Sequence, residues 1–334
     1  MKAEKFKSPF KGRSLLNWID WSKDEIQQIL DYAFLVKKQS HKGEVHQRFL
    51  GKTIALIFEK RSTRTRSSFE TAFGEEGGHP VFMSTDDIQL GEKESVKDTA
   101  RVLGRMFSAI EFRGFKQSHV EELAKYSGIP VINGLTDEFH PTQVLADIMT
   151  LKEHFGKLKG IKLCFMGDAR FNMGVSMMIG CAKMGLEYTA VAPEKYFPPK
   201  EIVEKCKEIA KETGAKITLE SDVDKAVKGA DVIYTDVWVS MGEKEEVWKE
   251  RIEDLLPYQV NSSVMEKAGK DAIFLHCLPS FHDLETDIGK EIFDKYGLSA
   301  MEVTDDVFQS PSSLVFDEAE NRMHTIKAVM ALTL

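Results

Sequence analysis

The chain has 334 residues, with 45 Lys+Arg against 53 Asp+Glu and 42% hydrophobic residues. At roughly 100–200 residues per domain, this length predicts two domains with full-sized cores, and the ordinary apolar and charged fractions exclude disorder and collagen-like structure. A net charge of −8 argues against a protein that works by coating nucleic acid, and leaves open whether the acidic total conceals a local basic site.

The N-terminal run MKAEKFKSPFKGRSLLNWID is basic but lacks the apolar core of roughly 7–15 residues that a secretory signal needs. No apolar run approaches the roughly 18 residues of a membrane span. Cys164, Cys181, Cys206 and Cys277 show no C-x-x-C spacing, and the histidines form no H-x-x-x-H or H-E-x-x-H pattern. A cytoplasmic protein with no metal and no cofactor is expected.

From about residue 50, short β-branched runs alternate with amphipathic, helix-favouring stretches. Strands are expected at Thr53–Phe58, Ala109–Phe112, Pro130–Ile132, Lys162–Met166, Tyr188–Val191, Val232–Thr235 and Ala272–Leu275. Helices are expected at Ser95–Met106, Thr142–His154, Lys200–Thr213, Trp248–Leu256 and over the final run Ser312–Leu334. Such alternation means βαβ units and mostly parallel sheets, with ligands at the C-terminal ends of the strands. The expected fold class is α/β, two parallel-sheet domains with helices on both faces. No Gly/Ser-rich linker appears, so the division is placed after the helix that follows His140-Pro141, at 1–150 and 151–317, with a helix as the connector.

The first chemical motif, Phe58 to Ser68, follows a strand and opens a helix, and four of the seven residues from Lys60 to Arg66 are basic. Free N–H donors and the positive dipole end of a helix, with Arg and Ser/Thr side chains, suit a phosphate or carboxylate. The plainer alternative is a solvated basic turn with a Ser/Thr cap; the position at a strand end favours the ligand site. Gly51-Lys52-Thr53 precedes its strand, so it is no P-loop, and Gly167 to Gly174 is not G-x-G-x-x-G. A nicotinamide dehydrogenase is therefore disfavoured.

Arg113, at a strand end, is a candidate cation. In His140-Pro141-Thr142-Gln143 the proline suits a first helical turn, and the histidine is either a cap or a donor to a carbonyl oxygen gaining charge. Asp236, before Val237-Trp238-Val239-Ser240-Met241-Gly242, suits an ammonium group. In His276-Cys277-Leu278-Pro279 a buried hydrophobe is the default for the cysteine, since no neighbouring base marks a nucleophile.

Taken together and in this order, these motifs resemble the ornithine carbamoyltransferases, within the aspartate/ornithine carbamoyltransferase family. S-T-R-T stands at Ser62–Thr65, H-P-T-Q at His140–Gln143, D-x-x-x-S-M-G at Asp236–Gly242 and H-C-L-P at His276–Pro279; Asn133–Thr136, Gln89–Gly91, Lys93–Met106 and Arg322 also fit. The resemblance implies an N-terminal domain for carbamoyl phosphate, a C-terminal domain for L-ornithine, and a last helix, about 318–334, returning to the first domain. It implies Ser62, Thr63, Arg64, Thr65, Gln89, Lys93, Arg113, His140, Gln143, Cys277, Leu278 and Arg322 for carbamoyl phosphate, with Arg113, His140, Cys277 and Arg322 catalytic. Leu135, Asn172, Asp236, Ser240 and Met241 are implied for ornithine, and Cys277 with Asp236 for orienting its δ-amine. A homotrimer or a multiple of trimers is implied, Gln89 and Lys93 completing a neighbouring subunit's site, with no nucleic acid or membrane partner. Phe171 and Val175 depart from the family pattern, where many relatives carry Asn; Asn172 is retained.

Four competitors remain. An aspartate carbamoyltransferase needs arginines for its anionic second substrate, and a putrescine enzyme lacks the Ser-Met-Gly loop. A scaffold that has lost turnover has no reason to keep Arg64, Arg113, His140 and Arg322. A nucleotide-binding α/β protein lacks its glycine fingerprint here.

Overall fold

A computed structural model describes residues 8–91, 93–239 and 245–334. Two compact units divide the chain: residues up to Met149 together with Glu320–Leu334, and Thr150–Ala319.

The first unit contains α1 (Lys23–His41), β1 (Thr53–Phe58), α2 (Thr63–Gly74), β2 (His79–Ser84), α3 (Val96–Met106), β3 (Ala109–Arg113), α4 (Gln117–Ser127) and β4 (Val131–Leu135). Its sheet runs β2-β1-β3-β4 with every pair parallel. β1 reads TIALIF, and Ile54 to Phe58 are all buried. A parallel strand covered on both faces takes such a continuous apolar run rather than an alternating one. Each large side chain buried there contributes about 1.5–3 kcal/mol. The winding reverses between β1 and β3, so the segments leaving these two strands flank the crevice where open α/β sheets bind ligands.

Two helices cross the unit boundary, α5 (Pro141–Phe155) and, at the chain end, α13 (Val315–Thr333). From Glu320 onward the last helix belongs to the first unit and packs against it. Gly12 N donates to Thr333 O at 2.7 Å, Lys52 Nζ to Leu334 O at 2.8 Å and Lys327 Nζ to Glu75 Oε2 at 2.8 Å.

The second unit holds β5 (Lys162–Met166), α6 (Asn172–Met184), β6 (Glu187–Val191), α7 (Lys200–Thr213), β7 (Lys216–Glu220), α8 (Val223–Val227), β8 (Val232–Thr235), α9 (Glu245–Leu255), α10 (Ser262–Ala268), β9 (Ile273–His276), α11 (Asp287–Tyr296) and α12 (Asp305–Phe308). Its parallel sheet runs β7-β6-β5-β8-β9, reversing between β5 and β8. At the turn after β5, a Cβ on Gly174 would stand 2.4 Å from Ala169 Cα. One glycine thus lets the loop close on α6 without a dinucleotide fingerprint.

Every expected strand is present. Two further strands, β2 and β7, form the sheet edges, and each is only partly buried. β2 carries Pro80, which an edge tolerates because its missing N–H faces no partner. α1 was also outside the expected set, although Ser22 and Glu25 form a complete capping box at its start. Among the described residues no helix is long and apolar enough to cross a membrane.

Candidate active site

In the first unit, the basic motif turns from β1 into α2 around Ser62. Its extended backbone (φ −161°) makes it the N-cap, and its Oγ accepts the Thr65 N–H at 3.2 Å. Thr63 is exposed, Arg64 half-buried and Thr65 fully buried. Two guanidinium groups converge on Thr65 Oγ1, Arg322 Nη2 from α13 at 2.9 Å and Arg113 Nη1 from the end of β3 at 3.2 Å. Arg322 Nη1 also donates to Gln143 Oε1 at 3.0 Å, and Gln143 Nε2 donates on to Asp147 Oδ1 at 2.8 Å.

His140 stands just before α5 and is buried, with its Nδ1 3.4 Å from Thr142 Oγ1. Burial pushes its imidazole well below the ordinary histidine range, and Arg322, Arg113 and Arg64 push it the same way. The ring is therefore neutral near pH 7 and carries one N–H donor. The cluster offers positive charge and directed donors, the requirement of a dianion whose carbonyl oxygen gains charge during reaction.

Lys60 and Arg66, two other basic residues of the motif, serve local structure. Lys60 pairs with Asp137 and sits 4.3 Å from the Phe115 ring centroid. Arg66 bonds Glu70 Oε1 at 3.0 Å and lies over Phe82, while Arg61 is exposed. Leu135 is buried at the end of β4. Gln89 and Lys93 are exposed between β2 and α3, and no side-chain hydrogen bond among the described residues ties either to the cluster. Glu92 lies outside the described residues.

Glu111 was not anticipated. It is fully buried on β3, two residues before Arg113, and neither of its carboxylate oxygens has a hydrogen-bond partner. Burial raises its carboxyl well above the usual range, while Arg113 and Arg322 pull it back. Its Oε1 lies 1.9 Å from where a Cβ on Gly134 would stand, so only glycine fits at that point of β4. Thr142 was also read only as part of a motif, yet its hydroxyl lies 3.4 Å from Arg322 Nη2 as well as from the His140 ring.

In the second unit, Asp236 follows β8 and Cys277 follows β9, and Cys277 Sγ donates to Asp236 Oδ1 at 3.1 Å. Asp236 also accepts the Val237 N–H at 2.8 Å. Desolvation raises its carboxyl, and the His276 ring, the Cys277 thiol and the Val237 N–H oppose that rise. Leu278, at φ +58°, donates its N–H to His276 Nδ1 at 2.8 Å. His276 Nε2 in turn lies 3.3 Å from Glu302 Oε1, and both residues are fully buried. Burial works against the charged form of Glu302, but the His276 ring and the Phe281 N–H outweigh it and hold the carboxyl below its ordinary value. Glu302 thus stands beside the ring that holds the Leu278 turn, a neighbour outside the anticipated set. Asn172 opens α6 and is half-buried, and Phe171 beside it is exposed. Ser240 and Met241 lie outside the described residues. Asp236, His276 and Cys277 also present ligand atoms within 4.8 Å of one another.

Two family profiles match the chain. One, described as the aspartate/ornithine carbamoyltransferase carbamoyl-P binding domain, covers residues 13–153; the other, the Asp/Orn binding domain, covers residues 159–333. Among curated proteins, the chain is 58% identical over 324 residues to an ornithine carbamoyltransferase of Pseudothermotoga lettingae, covering 97% of this chain and 98% of the relative. It is 56% identical over 324 residues to a catabolic ornithine carbamoyltransferase of Treponema denticola, covering 97% and 96%. Among solved structures, the ornithine carbamoyltransferase of Pyrococcus furiosus superimposes with a TM-score of 0.89 at 43% identity, covering 97% of each chain.

Proposed function

Because this chain belongs to the aspartate/ornithine carbamoyltransferase family, we propose the following assignment of its residues to the reaction. The protein is a transferase that moves the carbamoyl group of carbamoyl phosphate to the δ-amine of L-ornithine, giving L-citrulline and phosphate.

Ser62, Thr63, Arg64 and Thr65 bind the phosphate, with Arg113 as a further cation. Arg113, His140, Arg322 and Thr65 take the carbonyl oxygen, where the tetrahedral oxyanion forms, and Gln143 takes the carbamoyl amino group. Cys277 and Leu278 complete the carbamoyl phosphate set. Leu135, Asn172, Asp236, Ser240 and Met241 bind ornithine, and Asp236 with Cys277 orients its δ-amine. That amine attacks as the neutral base: a C–N bond forms, the C–O bond to phosphate breaks, and the amine sheds a proton. Positioning and oxyanion stabilisation carry the catalysis, with no covalent intermediate and no cofactor.

The observation that carries this reading is the convergence of Arg113 and Arg322 on Thr65 Oγ1 beside an uncharged His140. A carbamoyl oxygen bridging these donors gains stabilisation as it becomes an alkoxide. The test is turnover of carbamoyl phosphate with ornithine, putrescine and aspartate in parallel. Citrulline formation that dominates with ornithine is expected; preference for aspartate or putrescine, or no turnover, would overturn the assignment.

The assembly belongs to the same proposal: a homotrimer or a multiple of it, in which Gln89 and Lys93 complete the phosphate site of a neighbouring subunit. Their exposure supports this. Light scattering of the purified protein reads the mass directly, and a monomer would refute it. A cytoplasmic location is proposed on the four cysteines, none of which is joined in a disulfide, as a reducing compartment keeps thiols.

A further inference from the structure

A cluster of three side chains in the first unit takes no part in the proposed reaction. His41 is the last residue of α1, and Glu320 and His324 lie four residues apart on α13, hence on one helix face. Glu320 Oε1 is 2.8 Å from His41 Nε2 and 3.1 Å from His324 Nε2. The two rings stand nearly perpendicular at 84°, with centroids 5.7 Å apart, and one ligand atom from each residue falls within 4.8 Å of the other two. We propose that His41, Glu320 and His324 form a binding site for a single borderline divalent cation of the zinc, cobalt or nickel class, clamping the C-terminal end of α1 to α13.

The donor set selects that class. Two imidazole nitrogens and one carboxylate oxygen suit zinc and its neighbours, whereas calcium and magnesium require oxygen ligands. Zn–N and Zn–O bonds of about 2.0–2.2 Å place ligand atoms ~3.3 Å apart in a tetrahedral site. The 2.8 and 3.1 Å separations from Glu320 therefore need to open by only a few tenths of an ångström, while the two imidazole nitrogens, within 4.8 Å of each other, adjust about the same point. His324 is buried on α13, so its ring is already fixed in place beside Glu320. His41 and Glu320 are 57% and 43% exposed, which leaves an entry path and a fourth position for water. The carbonyl end of α1 also favours a cation. Two ammonium groups are near: Lys37 donates to Asn321 Oδ1 at 2.8 Å, and Lys327 pairs with Glu75 at 2.8 Å.

The test uses the full-length protein, stripped with chelator, in a Cys277→Ser background that disables the Asp236–His276–Cys277 set. Calorimetric titration with zinc at pH 7.5 should show one equivalent that His41→Ala and Glu320→Gln each weaken at least tenfold, while magnesium gives no such binding. His41 is an exposed helix-end residue, so the stripped His41→Ala protein should melt as its parent does; zinc should raise the melting temperature of the parent alone. Cobalt in the parent should give visible d–d absorption without a thiolate charge-transfer band. A zinc equivalent that persists in both variants, or no zinc equivalent in the parent, overturns the proposal.

Discussion

Arg322 Nη2 lies 2.9 Å from Thr65 Oγ1, although 257 positions separate the two residues along the chain. The contact joins the first turn of α2 to α13, and makes the last helix part of the cluster proposed for the phosphate. Arg322 is only 2% exposed and also holds Gln143. Removing one preorganised donor to a developing oxyanion costs roughly 10²–10³ in kcat. Arg322→Ala should show a loss of that order in steady-state turnover at saturating carbamoyl phosphate. Arg322→Lys should recover little, because one ammonium cannot hold Thr65 and Gln143 together as a planar fork does.

Arg64 and Cys277 separate charge from positioning. Arg64 is half-buried at the start of α2 and adds to the positive potential at His140. Cys277 donates a hydrogen bond to Asp236, and a serine hydroxyl can make the same one. Arg64→Ala should reduce kcat/KM for carbamoyl phosphate by about 10² or more, the scale of a lost charge-assisted contact. Cys277→Ser should fall far less, with the effect concentrated in KM for ornithine. Near-parental turnover by the Arg64 variant would remove it from the phosphate site.

What the sequence makes legible follows from distance along the chain. Ser62 to Thr65 and His140 to Gln143 are compact motifs at element ends, where residue type and local structure coincide, so their grouping could be expected. Glu111 sits in the middle of an apolar strand, and only the crossing of Gly134 and the proximity of Arg113 and Arg322 give it a role. Glu302 meets His276 26 positions further along the chain, a pairing that no local pattern encodes. β2 and β7 escaped notice because edge strands need less apolar sequence than central ones. The four basic residues from Lys60 to Arg66 looked equivalent; the fold sends Lys60 and Arg66 to Asp137 and Glu70 instead.

Glu111 should cost stability above its unfolded-state range. Its folded pKa is raised well above 4.5 by burial, so between these two values the folded state holds more protons than the unfolded state. Stability from this group is then complete below about pH 4.3 and is lost as pH rises through the folded value. Glu111→Gln keeps the shape and removes the ionisation. The variant should melt at the parental temperature near pH 4 and a few degrees higher by pH 8, on the order of 1–3 kcal/mol. Thermal melts across that range decide it; a variant less stable than the parent at pH 8 would show that the carboxylate is held charged by Arg113 and Arg322.

The pH dependence of the reaction should report the substrate amine rather than the enzyme's histidine. An alkyl ammonium such as the δ-amine of ornithine resembles lysine, with a pKa of about 10.4, so the reactive neutral form is a small minority near pH 7. Each unit of pH raises that minority about tenfold. His140 does not oppose the rise, because burial and the arginines around it keep its ring neutral throughout this range. With limiting ornithine, log kcat/KM should therefore climb between pH 6.5 and 9 with a slope approaching roughly one. His140→Asn retains a donor but cannot titrate; it should lower the whole curve without changing its slope. A flat parental profile would mean that ornithine binds as the ammonium and gives up its proton on the enzyme, and a changed slope in the variant would make His140 a proton acceptor instead of a donor to the carbonyl oxygen.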